Sequence, residues 1–219
     1  GFSLSDDITQ PRKFSFQAAI IPTLGRVVIM ADGNAPFSDA NTGFGIKANG
    51  GTLYLFDKPS NGGSLLDSIA YGVQARDYSI GRVPDGGSNW VLTDPSPQGP
   101  NIAVTSFGNA MQLRINEWMA NPKPGDDDWI ELYNPNLQPV KLSDLYLTDD
   151  LGTPQGRTKF RIAPLSFIGT DFYGYERFIA DNNISAGPDH TNFKLSGSGE
   201  SIGLYVNADT RIDSLVFPQ

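Results

Sequence analysis

The segment INEWMANPKPGDDDWIELYNP occupies residues 115–135, and VKLSDLYLTDD follows it at residues 140–150. Two strand-like runs, 113–119 and 129–133, are separated by a loop of Asn, Pro, Gly and three Asp, which is the composition of a turn. Side chains on a strand alternate between its two faces. The second run therefore places Ile and Leu on one side and Trp, Glu and Tyr on the other. This alternation predicts a half-buried strand.

The composition of the whole chain also favours β-structure. Its 219 residues include 24 Gly and 16 Pro, aromatic residues make up 11%, and long runs with apolar residues at helical spacing are absent. This combination predicts an all-β protein with many turns. The length fits one large domain or about two smaller ones.

Charge and hydropathy exclude two classes of partner. The formal net charge is -8 and Lys and Arg do not cluster, so no nucleic-acid partner is expected. No apolar run approaches the roughly 20 residues that a membrane-spanning helix needs, so no membrane span is expected in this segment. Cysteine is absent, which leaves neither disulfides nor thiol chemistry to predict.

The beginning of the chain matches its end. GFSLSDD at 1–7 aligns with DLYLTDD at 144–150, and FGIKANGGTLYL at 44–55 aligns with FKLSGSGESIGL at 193–204. Shorter matches lie in the same order: Lys13-Phe14 with Lys159-Phe160, 29–32 with 178–181, and 65–71 with 211–217. The offsets are all about 143 to 149 residues, which indicates a tandem repeat.

Two features of the repeat predict local structure. The apolar run 27–30 is bounded by Gly25 and by Asp32-Gly33, and it is typical of a strand inside a sandwich. The pairs Asp6-Asp7 and Asp149-Asp150 each follow a strand-like run, and we expect them to cap a turn rather than to bind a ligand.

The repeat also predicts the domain organisation. The first repeat spans about 1–108, with a linker rich in Pro, Gly, Ser and Asn from about residue 94, and the second spans 109–219. Neither copy is complete. The first lacks counterparts of 109–143, which hold the opening strands, and the second lacks a counterpart of the last strand. Either the chain is a portion of a longer array, or strands are donated between copies or molecules.

The order of several motifs resembles bacterial members of the lamin tail domain family. An Ile-Asn-Glu strand, a Pro/Gly/Asp loop, a Trp-Ile-Glu-Leu strand and a Leu-Ser-x-x-Tyr-Leu-Thr-Asp-Asp strand appear in that order at 115–117, 121–128, 129–132 and 142–150. The run Ser-x-Gly-Arg-x-Pro-Asp-Gly at 79–86 is similar to the last strand of the family. The resemblance implies tandem immunoglobulin-like β-sandwiches of the lamin-tail type, both incomplete in this chain.

Signals for catalysis are missing from the sequence. The only histidine, His190, is in a turn-like run beside Asp189, which is too close in the chain to orient it as a triad requires, so a surface loop histidine is expected. There is no cysteine nucleophile, no GxSxG elbow and no glycine-rich nucleotide loop. We therefore expect neither an enzyme nor a bound organic cofactor.

Two groups of residues are candidate ligand sites. Asp126, Asp127 and Asp128 supply hard oxygen ligands of the kind that calcium prefers, although a solvated acidic turn explains them as well. Trp118 and Trp129 either stack on a sugar ring or serve as packing residues of their strands.

The resemblance implies a non-catalytic function. We expect a secreted, extracellular or bacterial cell-surface module with a structural or adhesive role, which assembles into a fibre or sheath by strand complementation. Its partners are then copies of itself or other surface proteins. The alternative is an accessory domain that binds carbohydrate or a protein ligand and is attached to a secreted hydrolase or another enzyme. A nuclear lamin is disfavoured because coiled-coil heptads are missing.

Overall fold

The computed structural model of the protein describes residues 1–17 and 21–218. Strands account for 35% of the chain and helices for 6%, and the strands form several antiparallel sheets. These proportions confirm the all-β prediction and are consistent with a β-sandwich class. The immunoglobulin-like topology and the tandem arrangement of two such sandwiches remain a prediction.

The contacts of the chain divide it into two compact units. Unit 1 contains Gly1–Ala70 and Ser96–Pro100, and unit 2 contains Tyr71–Pro95 and Asn101–Gln219. Each unit is described by itself below. The boundary predicted near residue 108 concerns the periods of the sequence, and it stays a prediction.

Unit 1 is built on one antiparallel sheet. Its strands are β1 (Ser3–Ser5), β2 (Phe14–Ser15), β3 (Gly51–Phe56) and β4 (Leu65–Tyr71), whose last residue is assigned to unit 2. The strand order is β2-β1-β3-β4. Leu4 lies opposite both Phe14 and Leu55 across the two ladders of β1. A short 3₁₀ helix, Pro59–Asn61, connects β3 to β4.

The described residues of unit 2 form four sheets. Its strands are β5 (Ser79–Arg82), β6 (Trp90–Asp94), β7 (Ile102–Ala103), β8 (Arg114–Met119), β9 (Trp129–Tyr133), β10 (Val140–Lys141), β11 (Tyr146–Thr148), β12 (Phe160–Arg161), β13 (Phe167–Ile168), β14 (Tyr175–Ile179), β15 (Glu200–Asn207) and β16 (Thr210–Phe217). The sheet orders are β12-β11-β15-β16, β14-β9-β8, β5-β6-β7 and β10-β13. Helix α1 (Pro154–Arg157) and the 3₁₀ helices Ala110–Gln112 and Asp171–Tyr173 complete the unit.

The main core of unit 2 lies where β8, β9 and β14 pack with the sheet of β11, β15 and β16. Ile130 and Leu132 of β9 are fully buried, and so are Leu147, Ile202 and Leu204. The predicted alternation in β9 is therefore confirmed. The strand bounds also agree with the sequence, since β9 has the predicted limits and β8 begins one residue late.

A turn that we call the double-Asp turn follows β1 in unit 1. The Ser5 hydroxyl accepts a hydrogen bond from the Asp7 amide at 3.0 Å and donates one to the Asp7 carbonyl at 2.8 Å. An Asp7 carboxylate oxygen accepts from the Thr9 amide at 2.8 Å. The Lys13 ammonium lies 2.5 Å from the Asp6 carboxylate. These bonds hold the chain as it reverses into β2.

The same double-Asp turn follows β11 in unit 2. Thr148 replaces the serine and accepts from the Asp150 amide at 2.9 Å, while the Asp150 carboxylate accepts from the Gly152 amide at 2.7 Å. Lys159 pairs with Asp149 at 2.7 Å. The two sheets that contain these turns have equivalent strand orders, β2-β1-β3-β4 in unit 1 and β12-β11-β15-β16 in unit 2. The prediction that the repeated aspartate pairs cap turns is confirmed.

The two units differ at the apolar run 27–30. In unit 2 the counterpart of this run lies in β14, which pairs along its length with β9. In unit 1 the run forms no strand, and Val28 and Met30 are 41% and 60% exposed. The prediction of a buried strand here is therefore wrong. Within residues 1–17 and 21–70 no strand stands in the place of β9, so this run has no ladder to join.

Residues that follow unit 1 in the chain pack into unit 2. The Gly72 amide donates to the Pro164 carbonyl at 2.8 Å, and the Phe167 amide donates to the Val73 carbonyl at 2.9 Å. β5 ends at the predicted Pro-Asp-Gly turn and pairs with β6. β7 lies in the predicted linker and continues this sheet. Segments that the sequence analysis assigns to the first repeat thus lie in unit 2.

Candidate functional site

An open cleft of about 420 Å³ lies beside the loop that connects β8 to β9. Its walls come from the end of β8, the loop, the start of β9 and the end of β14. The lining residues are Met119, Pro122, Lys123, Gly125, Asp126, Asp127, Trp129, Arg177 and Ile179. The cleft therefore contains two carboxylates, two cations and one indole ring.

The register of the β14-β9-β8 sheet builds the apolar wall of the cleft. Met119, Trp129 and Ile179 lie directly opposite one another, so their side chains share one face of the sheet. Arg177 is two residues from Ile179 on the same face, and its guanidinium carbon lies 5.9 Å from the centre of the Trp129 ring. The sheet thus presents the indole with a cation beside it.

The acidic loop supplies the polar wall. Asp126 and Asp127 line the cleft, and the Lys123 ammonium lies 3.9 Å from an Asp126 carboxylate oxygen on the exposed surface. Gly125 has a φ of 99°, a left-handed conformation that favours glycine in the turn. This wall is exposed, so its charges are strongly screened by solvent.

Asp128 is separated from the other two aspartates by its contacts. Its carboxylate accepts a hydrogen bond from the Leu195 amide at 3.1 Å, and its carbonyl accepts from the Ala180 amide at 2.8 Å. It therefore ties the loop to the neighbouring chain. Within the described ranges, 1–17 and 21–218, no group of three or more His, Asp or Glu side chains is arranged to hold a metal ion. The calcium site stays a prediction.

Trp118 does not share the face of Trp129. It lies opposite Ile130, its ring centre is 5.4 Å from that of Phe217, and it packs against the core. The pairing of β8 with β9 shifts between Ile115 and Glu117, which is a β-bulge. A bulge reverses the alternation of the strand beyond it. The structure therefore brings Trp129 to the cleft and places Trp118 in the packing.

His190 is part of the framework of unit 2. Its Nδ1 atom lies 2.8 Å from an Asp181 carboxylate oxygen, and its side chain is 19% exposed. The expectation of an ordinary surface loop histidine is wrong, because the ring is mostly enclosed. Asn41 occupies the equivalent place in unit 1 and hydrogen-bonds the Asp32 backbone. Each position forms an isolated parallel bridge, Asn41 with Met30 and His190 with Ile179, so a structural role explains the histidine.

Glu176 is the most perturbed acid among the described residues. It lies opposite the buried Leu132, so it is on the core side of β14. The pKa of Glu176 is raised to about 7, chiefly by burial and also by the nearby Asp189 carboxylate, while the hydrogen bond from the Arg177 amide acts in the opposite direction. Glu176 therefore keeps its proton to a higher pH than an exposed glutamate does.

Sequence reasoning identified only part of the cleft. Asp126, Asp127 and Trp129 were among the candidates, whereas the contributions of Arg177, Ile179 and Lys123 were missed. Arg177 and Ile179 are two residues apart in β14, so their spacing in the sequence indicates that they share a face of the strand. The pairing of β14 with β9 across more than 40 residues of sequence was needed to place them.

The cleft has the chemistry of a binding surface. An indole face, an arginine and two carboxylates can stack on a ring and hydrogen-bond its hydroxyl groups. The described residues that line the cleft are neither histidine nor serine or cysteine. None of the helices in the described part of the chain is long and apolar enough to cross a membrane.

Comparisons of the chain with protein families, with curated proteins and with solved structures gave no significant match.

Proposed function

We propose that the protein is a non-catalytic structural or adhesive module of the extracellular or bacterial cell surface, built from two lamin-tail-like repeats. It assembles into a fibre or sheath by sharing strands between repeats and between molecules. Its partners are then further copies of the chain or other surface proteins.

One observation carries this proposal. Residues 71–75 belong to the first repeat in sequence, yet they are bonded inside unit 2. Besides the two backbone bonds described above, the Gln74 side-chain amide donates to the Leu165 carbonyl at 3.0 Å. Ala75 and Leu92 pack with Phe167 in a small second core. This arrangement supports the sharing of segments between repeats that the proposal requires.

Sedimentation velocity on the 219-residue chain across a wide concentration range tests this function. We expect oligomers that grow with concentration, because the exposed run 27–30 offers a strand position without a ladder. A clean monomer at every concentration would contradict self-assembly. Growth that depends on added calcium would identify the loop of Asp126 and Asp127 as the assembly site.

A second function is favoured by the cleft beside β9. An accessory domain that binds carbohydrate would use Trp129 as its stacking surface and Arg177, Asp126 and Asp127 as hydrogen-bonding groups. Calorimetric titration of the protein with soluble oligosaccharides tests it. Trp129→Ala should abolish binding. Tyr175→Ala, which removes a 47% exposed aromatic outside the cleft lining, should leave binding unchanged.

A further inference from the structure

Unit 1 presents an apolar surface whose counterpart in unit 2 is covered. We call it the open face and define it by Leu4, Ile29, Ile46, Leu53 and Leu55. All five are partly or largely exposed, and Ile46 is 51% exposed. Their repeat counterparts in unit 2 are all buried, at 6% exposure or less: Leu147, Phe178, Leu195, Ile202 and Leu204. The residue types are similar, so the difference lies in what covers them.

The cover in unit 2 is the hairpin of β8 and β9. Ile130 of this hairpin lies opposite Phe178, and Leu132 lies opposite Glu176. Both side chains belong to the same core as Ile202 and Leu204. β8 closes the other side, where the Ile115 amide donates to the Asp213 carboxylate at 2.9 Å. One hairpin therefore buries the face and completes the ladder of β14.

We propose that the open face of unit 1 binds a β-hairpin of the β8-β9 type, donated by another polypeptide segment. The proposal rests on the proposed function and specifies its partner. The donated hairpin carries apolar residues at alternate positions of its second strand, in the pattern Trp-Ile-Glu-Leu.

The repeat predicts the register of the bound hairpin. Its second strand pairs antiparallel with 27–30, as β9 pairs with β14. The Ile of the pattern lies opposite Ile29, and the Leu lies opposite Val27. Pairing of this kind supplies hydrogen bonds to the backbone as well as apolar cover, which is the usual mode of strand addition. The alternative is contact between the open faces of two copies of the protein. Such contact would cover the apolar side chains but would not form a hydrogen-bonded ladder along 27–30.

A peptide with the sequence of residues 111–135 tests the proposal in trans on the whole protein. We expect saturable binding by calorimetry, and at least a tenfold loss when the peptide carries I130D and L132D. Ile46→Asp in the protein should weaken binding by a similar factor. Ile8→Asp is the matched control, because Ile8 is 56% exposed in the same unit but lies outside the open face. Equal binding of the two peptides, or of the two protein variants, would overturn the proposal.

Amide hydrogen exchange on the wild-type protein gives a readout that does not depend on a variant. Binding of the peptide should protect the amides of Val27 and Ile29, because these two point toward the added strand and enter the ladder. Apolar contact without strand pairing would leave these amides unprotected and would overturn the predicted mode of binding.

Sedimentation separates this inference from the proposed function. Oligomers that still form in the Ile46→Asp variant, and that the peptide does not displace, would support self-assembly and overturn the hairpin site. A monomeric chain that binds the peptide would support the hairpin site and contradict self-assembly. Oligomers that are abolished by Ile46→Asp but not displaced by the peptide would identify a second open face as the occupant, and so overturn the proposal.

Discussion

Units 1 and 2 contain the same double-Asp turn and the same order of strands around it, yet only unit 2 encloses a full core. Leu195 is 6% exposed in unit 2, and its counterpart Ile46 is 51% exposed in unit 1. The turn is closed by neighbours in sequence, whereas the core depends on a hairpin from a distant part of the chain. The comparison shows that the local and the long-range parts of this repeat are separable.

The largest expected difference between the units concerns core leucines. Leu204→Ala should lower the free energy of unfolding of unit 2 by about 2 to 5 kcal/mol, since it leaves a cavity in a closed core. Leu55→Ala, at the equivalent and partly exposed place in unit 1, should lower the free energy of unfolding by less than about half as much.

Trp90, Trp118 and Trp129 all lie in unit 2, so tryptophan fluorescence in urea reports on that unit. Amide exchange in β3 reports on unit 1. Equal losses of unfolding free energy from the two substitutions would show that the core of unit 1 is as well enclosed as that of unit 2.

The second difference concerns pH. The pKa of Glu176 is about 7 in the folded protein and ordinarily near 4.5, so the folded state holds the proton more tightly. Its contribution to stability is complete below pH 4.5 and is lost as the pH rises through 7. Glu176→Gln should therefore stabilise unit 2 at pH 8, by at most about 3 kcal/mol, and have little effect at pH 4.

Unit 1 is the internal control for that titration, because Val27 occupies the position of Glu176. Urea unfolding of the variant and the wild-type protein at pH 4, 6 and 8 measures the effect. Parallel pH profiles for the two proteins would place the titration elsewhere.

A smaller and matched effect is expected in the double-Asp turns. Thr148→Val and Ser5→Ala each remove a buried hydroxyl that accepts from an aspartate amide. Each should cost about 1 to 2 kcal/mol, because a buried amide loses its partner. Thermal unfolding with unit-specific amide exchange checks the pair. A cost in one unit alone would show that the two turns are not equivalent.

The smallest effect is expected at the paired lysines. Lys13→Gln and Lys159→Gln remove the ion pairs with Asp6 and Asp149. Each pair is partly exposed and should contribute less than about 1 kcal/mol. The effect should shrink in 1 M salt, since screening acts on such pairs. A loss of stability that does not change with salt concentration would indicate that the lysine side chain acts by packing on its aromatic neighbour, Phe44 for Lys13 or Phe193 for Lys159.

Local patterns in the sequence predicted local structure well. The alternation in 129–133 gave the limits and the buried face of β9, and the repeated aspartate pairs gave the turns. These features depend on side chains within about ten residues of one another. The cleft was predicted in part for the same reason, since Asp126, Asp127 and Trp129 are neighbours in sequence.

Features that depend on pairing could not be predicted. The run 27–30 has the composition of a buried strand, but a strand needs a partner, and unit 1 has none at this place within its described residues. The bulge near Asn116 moved Trp118 to the core and separated it from Trp129. Contacts of 71–75 with 164–167 cross the sequence repeats, and no periodicity reveals them.

The double-Asp turn also has a consequence for the kinetics of folding. Its bonds join residues no more than ten positions apart, from Ser5 to Lys13 and from Thr148 to Lys159. By contrast, the ladder between Leu4 and Leu55 must close a loop of about fifty residues. Closing short loops costs little chain entropy, and local contacts form early. We expect each repeat to start folding at this turn, before either unit acquires the hairpin that would close it.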